Sequence, residues 1–225
     1  MKSRSGPYFL VGLAGHAGAG KDTCADILGS AHSFARLAFA DAVRSELAAS
    51  FGVDLRLFTD RSLKEAPTLE LALRRCSDLT FVDLVMSLGL GLNYDKAISP
   101  RVAMRLWGTE YRRNYCGADY WLMRAHERVE ALHREGYRRI AITDVRFLNE
   151  AALVRTLDGE VWRVRRPSAD AQPARHQSEQ EVDAIQADRI INNGAHTTAG
   201  LAYDVLLAYH QATSPKGDLH EQSSS

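Results

Sequence analysis

The chain has 225 residues, and Lys plus Arg balance Asp plus Glu at 28 each. That length is enough for one core-bearing domain, or one domain with a small lid. The zero formal net charge excludes the global basic field that non-specific nucleic-acid binding needs.

In chain order, "YFLVGL" (Tyr8 to Leu13) reads as a strand buried on both faces and ending in glycines. "KDTCADILG" follows as a helix. "FARLAFA" (Phe34 to Ala40) reads as a second strand, Asp41 as the N-cap of "AVRSELAASFG", and Gly52 as that helix's end. In the less regular middle, "FTDRSLKEAP" is turn-like. "DLTFVDLVMSLG" has helical spacing at Leu79, Val82, Val85 and Met86. Ser99 and Pro100 are a helix start signal for "SPRVAMRLWGTEYRR". "YWLMRAHERVEALHREG" puts Trp121, Ala125, Val129 and Leu132 on one face, with Gly136 closing it. The period then changes. "RRIAITDVRF" is a strand, "NEAALVRTLDG" a helix, "EVWRVRRP" a strand, "ADRIINNG" a last strand and "TAGLAYDVLLAYHQA" a last helix. Alternating strands and helices imply an α/β fold, a mainly parallel sheet with helices on both faces. Ligands of such sheets bind beyond the carboxyl ends of the strands. The polar stretch 213–225 is expected to be a disordered tail.

Cys24, Cys76 and Cys116 are scattered without C-x-x-C spacing, which suits a reduced, intracellular protein with no disulfide framework. No apolar run approaches the ~18 residues of a membrane span. "MKSRSGPYFLVGLAG" runs into a glycine loop instead of a signal-peptide core. The expectations are a cytoplasmic location, no membrane partner and no nucleic-acid partner.

"GHAGAGKDT" (Gly15 to Thr23) carries the chemistry. In G-x-x-x-x-G-K-[ST] the glycines free backbone N–H groups for phosphates, the lysine reaches the β/γ oxygens and the hydroxyl holds Mg²⁺. Gly15, Gly18, Ala19, Gly20 and Lys21 fit such a loop, and Asp22 stands at the hydroxyl position with Thr23 next. A carboxylate at a helix N-terminus is favoured and reaches Mg²⁺ directly or through water, so Asp22 and Thr23 are the candidate metal residues. Asp144, at the end of "IAIT", is either a second carboxylate for magnesium and the acceptor or the N-cap of the following helix. Arg146, two residues on, shares its side if the extended geometry continues. The segment 163–183 is a lid candidate, with Arg165, Arg166, Arg175 and His176 as its cations. Arg44, Arg61 and Arg101 are further phosphate candidates, although Arg44 also fits the polar side of an amphipathic helix.

These pieces, with "LWGTEYRR…DYWLMRA", "TDVRFLNEA", "VWRVRRP", "HQSE" and "DRIINNG" in this order, resemble the deoxynucleoside monophosphate kinases of phages and prophages. The likeness runs from about Tyr8 to Leu207. It implies a P-loop nucleoside-monophosphate-kinase fold over 1–212, with an acceptor-binding helical insertion at about 53–118. It implies transfer of the ATP γ-phosphate, with Mg²⁺, to a deoxynucleoside 5′-monophosphate. It matches Gly18, Gly20, Lys21, Asp22 and Thr23 to the ATP/Mg²⁺ loop, and Arg61, Arg101, Trp121, Asp144, Arg146, Glu150 and Ser178 to the acceptor pocket. A homodimer is expected from the family alone. A phage enzyme of this group has basic residues in its loop where this chain has Ala17 and Gly18, so Arg44, Arg61 or a lid arginine such as Arg165 must supply the acceptor's cation. Two rivals share the loop: a kinase of another small phosphorylated metabolite, of the phosphomevalonate or dephospho-coenzyme A type, and a non-catalytic ATP-binding module.

Overall fold

The structure, a computed structural model, describes residues 8–171, 177–194 and 197–214, with the backbone alone for 177–180. Arg175, His176, the Ser178 side chain and 215–225 lie outside the described residues. The residues divide into two compact units, Met1–Arg36 with Tyr137–Ser225, and Leu37–Gly136.

The sheet orders its strands β2-β3-β1-β4-β5, with β1 Phe9–Ala14, β2 Ala35–Leu37, β3 Arg139–Val145, β4 Glu160–Arg165 and β5 Arg189–Asn192. β1 runs parallel to β3 and β4, and β4 parallel to β5. Strand alternation sorts the packing. Val11 and Leu13 lie in one cluster with Cys24, Ala25 and Leu28 of α1 (Lys21–His32) and with Leu201 and Val205 of α10 (Thr198–Thr213). Gly12, pointing the other way, lies against Val154 of α7 (Leu148–Thr156). Helices therefore cover both faces, which is why β1 is an uninterrupted apolar run rather than an alternating one. The remaining helices here are α8 (Pro167–Asp170) and α9 (Gln177–Ala184). β3 carries a bulge: Gly12 faces Ile142 and Ala14 faces Val145, so Thr143 and Asp144 share the space opposite Leu13.

The second unit is helical: α2 Phe39–Phe51, α3 Arg56–Thr59, α4 Leu79–Ser87, α5 Pro100–Arg105, a π-helix Leu106–Cys116 and α6 Tyr120–Arg134. The expected second strand is shortened to Ala35–Leu37 because α2 begins at Phe39. Asp41 caps that helix from its third position, its carboxylate accepting the Ala38 N–H at 2.9 Å. Gly52 ends it with φ 63°. Asp78 caps α4 by accepting the Phe81 N–H at 3.0 Å. Leu79 is thereby placed in the first turn, where it is exposed, while Phe81, Val82 and Val85 are buried. Ser99 and Pro100 start α5 as the pattern requires. Trp121, Ala125, Val129 and Leu132 are the buried residues of α6.

A half-buried polar network ties this unit together. The Glu46 carboxylate accepts Trp107 Nε1 and Arg112 Nε, each at 2.9 Å, and Tyr120 Oη at 2.7 Å. The Arg112 guanidinium also lies over the rings of Trp107, Tyr111 and Tyr120 at 5.0, 4.3 and 5.0 Å. Tyr111 Oη in turn donates to Asp78.

No helix among the described residues is long and apolar enough to cross a membrane.

Candidate functional site: the glycine loop after the first strand

The loop Gly15–Gly20 joins β1 to α1, whose first residue is Lys21. Two glycines are required by close approach. A Cβ at Gly15 (φ 145°) would overlap the Val164 carbonyl, and one at Gly20 (φ 104°) would overlap the Asn193 carboxamide. The loop is thus seated on β4 at one end and on the residue after β5 at the other.

Lys21 is buried, 9% exposed, and its Nζ donates to the carbonyls of Gly15 at 2.7 Å and His16 at 2.9 Å. Burial, joined by the repulsion of Arg146, pushes its pKa down from 10.5 to about 8, against the pull of Asp144 and Asp22. The same field shows that Lys21, Asp22, Asp144 and Arg146 share one electrostatic neighbourhood. The β3 bulge sets Asp144 in that neighbourhood.

Asp22, in the first turn of α1, accepts Arg36 Nη2 at 2.7 Å, and the other arm of that guanidinium binds Asp26. Thr23 is exposed beside it. Asp144 is not the cap of α7. That helix starts from Phe147, and the Glu150 carboxylate accepts the N–H groups of Arg146 at 2.8 Å and Phe147 at 3.2 Å. Glu150 is only 4% exposed, so it acts on this neighbourhood by fixing the Arg146 backbone.

At the end of β4, Arg165 lines a cavity of about 300 Å³ with Gly15, His16, Arg163, Val164, Asp170, Val182 and Asp183. His16 Nε2 lies 3.2 Å from Asp183. Arg163 donates to the Val182 and Ile185 carbonyls, clamping the end of α9. Arg166 Nη1 reaches back to the Gly18 carbonyl at 3.4 Å.

In the helical unit, Arg44 pairs with Asp41 at 2.6 Å. Among the described residues its Nε is a buried donor without a hydrogen-bond partner, which an anion would satisfy. Arg61 is exposed, and Arg101 is exposed and bound to Glu65. Trp121 is 5% exposed, with Nε1 donating to the Gly108 carbonyl at 2.8 Å.

Nothing in the sequence pattern points to His16, Arg36 or Asn193 at this site, beyond the place of Asn193 in "IINNG", after the last strand.

No protein-family model matches the chain, and no curated protein matches its sequence. Among solved structures, TT1252 from Thermus thermophilus is 16% identical at a TM-score of 0.50, with 93% of this chain and 100% of that one covered. A dephospho-CoA kinase from Campylobacter jejuni is 14% identical at 0.47, covering 90% and 96%. A sugar kinase from Janibacter sp. HTCC2649 is 14% identical at 0.43, covering 90% and 94%. At such identities a likeness is one of fold. With a strand, a glycine loop and a helix opening on lysine in the order described, the fold is the α/β fold of P-loop NTPases.

Proposed function

We propose that the protein transfers the γ-phosphate of ATP to a deoxynucleoside 5′-monophosphate, releasing ADP and the diphosphate. The observation that carries this reading is the seated glycine loop with Lys21 buried at its carbonyls, among Asp22, Asp144 and Arg146. A lysine so held has its charge directed at the loop rather than at solvent, and a phosphate there restores the ammonium's preference for its proton.

Mg²⁺ in kinases takes one or two carboxylates together with substrate phosphates. Asp22 and Thr23, both exposed at the start of α1, fit that demand in number and in oxygen chemistry. When bound, the ion neutralises charge on the β- and γ-phosphates. Arg36 holds the Asp22 carboxylate in place.

A phosphate oxygen of the acceptor makes the attack, so no side-chain nucleophile is required. The work of the chain is positioning and charge stabilisation. Arg146 and Asp144 are assigned to the transferring group, and Arg165, at the end of β4, to its charge. Arg44, Arg61 and Arg101, with Trp121, are assigned to the acceptor; for Arg44 the unpartnered buried Nε supports this. Deoxyribose as the sugar rests on the sequence resemblance.

The test is ADP formation from ATP over the common deoxynucleoside and ribonucleoside 5′-monophosphates, alongside phosphomevalonate and dephospho-coenzyme A. The reading expects a deoxynucleoside monophosphate to be the best acceptor. Turnover confined to a non-nucleotide metabolite would replace the acceptor, and ATP binding with no turnover at all would leave a binding module.

A further inference from the structure

We propose that Asn193 is a positioning residue for the phosphate loop: its carboxamide orients the Ala19–Gly20 peptide plane so that the Gly20 N–H serves the donor's phosphates. This rests on the phosphate-loop reading above. Asn193 follows β5 directly. Its main-chain N–H donates to the Arg165 carbonyl at 2.7 Å, extending the ladder one step beyond the Arg165–Asn192 pair. That bond fixes where the side chain starts. From there Nδ2 donates to the Ala19 carbonyl at 2.8 Å. Ala19 is fully buried, so losing the bond takes from its carbonyl the partner the structure gives it.

A trans peptide is planar, and its C=O and N–H point in opposite directions. Holding the Ala19 oxygen toward the end of β5 therefore turns the Gly20 N–H away from it. The Gly18–Ala19 plane before it is fixed by other groups. The Ala19 N–H is used within the loop, on the His16 carbonyl at 3.2 Å, and the Gly18 carbonyl takes Arg166. The Ala19–Gly20 plane is the one held by Asn193, and it leads straight into Lys21. Gly20 and Asn193 are a matched pair. A side chain at position 20 would occupy the space of Nδ2, so glycine there admits the carboxamide as well as the positive φ. Because the same asparagine grips Arg165, it also sets the end of β4, with Arg165 and Arg166, relative to the loop.

The test compares ADP with adenosine on the full chain by calorimetry. Asn193→Asp keeps the shape but sets an oxygen against the Ala19 carbonyl. ADP affinity is expected to fall about tenfold or more, while adenosine affinity stays within about twofold of wild type. Asn193→Ala, which only deletes the bond, should show the same split at smaller size and replaces the Asp variant if that one does not fold. Equal losses for ADP and adenosine would put Asn193 against the nucleoside and overturn the proposal. Unchanged ADP affinity in the folded variants would overturn it as well. If the wild type gains no affinity from the phosphates, the phosphate-loop reading itself falls, whatever the variants do.

Discussion

The two units bury charge in opposite ways. In the sheet unit the buried cation Lys21 gives its hydrogen bonds to two uncharged carbonyls, and its proton is loosened, with a pKa of about 8. In the helical unit the largely buried Glu46 accepts from Trp107, Arg112 and Tyr120, and Arg112 is further enclosed by three aromatic rings. The second arrangement is closed: each charge has its partner, and the gain is a fixed geometry for α2, the π-helix and α6. The first is unfinished, because carbonyls offset burial less well than a carboxylate or a phosphate would. A charge held short of full compensation suits a binding site, and a fully compensated one suits a frame.

The largest expected effect breaks the frame. Glu46→Ala leaves the Trp107, Arg112 and Tyr120 donors without their acceptor and strands a largely buried guanidinium, a loss of about 3 kcal/mol or more. Its melting temperature should fall well below that of wild type. A melt within a degree or two of wild type would mean the network is not what holds the helical unit.

The next effects sharpen the other side. Arg146→Lys keeps the charge near Lys21 but loses the planar fork that matches phosphate. It should lower kcat/KM about tenfold, about 1.4 kcal/mol, with little change in melting temperature. Full activity would make Arg146 a point charge only. Asp22→Asn should weaken the use of Mg²⁺, with activity partly recovering as Mg²⁺ is raised. Wild-type behaviour at every Mg²⁺ concentration would reduce Asp22 to an anchor for Arg36.

The smallest effect is in pH. Below about pH 8 the folded chain carries the buried Lys21 ammonium at a cost, whereas the unfolded chain keeps that proton to about 10.5. The penalty is complete below pH 8 and fades as pH rises toward 10.5, so the unliganded protein gains stability over that range. Cys24 and Tyr120, each pushed up to about 12 chiefly by burial, act the other way from about pH 9 upward. The clear window is therefore pH 8 to 9. Unfolding free energies of wild type minus Lys21→Met should rise across it, and a flat difference would contradict the buried ammonium.

What the sequence made legible follows from locality. β1, the loop and α1 are contiguous, so apolar run, glycines and lysine announce one another, and α6 shows its buried face at helical spacing. The contacts that complete each unit are not local. Asn193 meets Ala19 across 174 residues, and Glu46 meets Trp107, Arg112 and Tyr120 across 61 to 74. Polar residues so far apart leave no periodic trace. Asp144 was legible as a strand-end acid, but the bulge that aims it depends on its register with β1. Asp41 was legible as a cap, and only the backbone geometry placed it at the third residue of the helix.

Lys21 at the seated loop is the residue on which the proposed phosphoryl transfer turns. Its most direct test is kcat/KM for diphosphate formation by wild type and Lys21→Ala, with ATP, Mg²⁺ and the best deoxynucleoside monophosphate. The account predicts a fall of about a hundredfold or more, roughly 3 kcal/mol of transition-state stabilisation, in a variant that still folds. A folded Lys21→Ala protein with undiminished kcat/KM would contradict it.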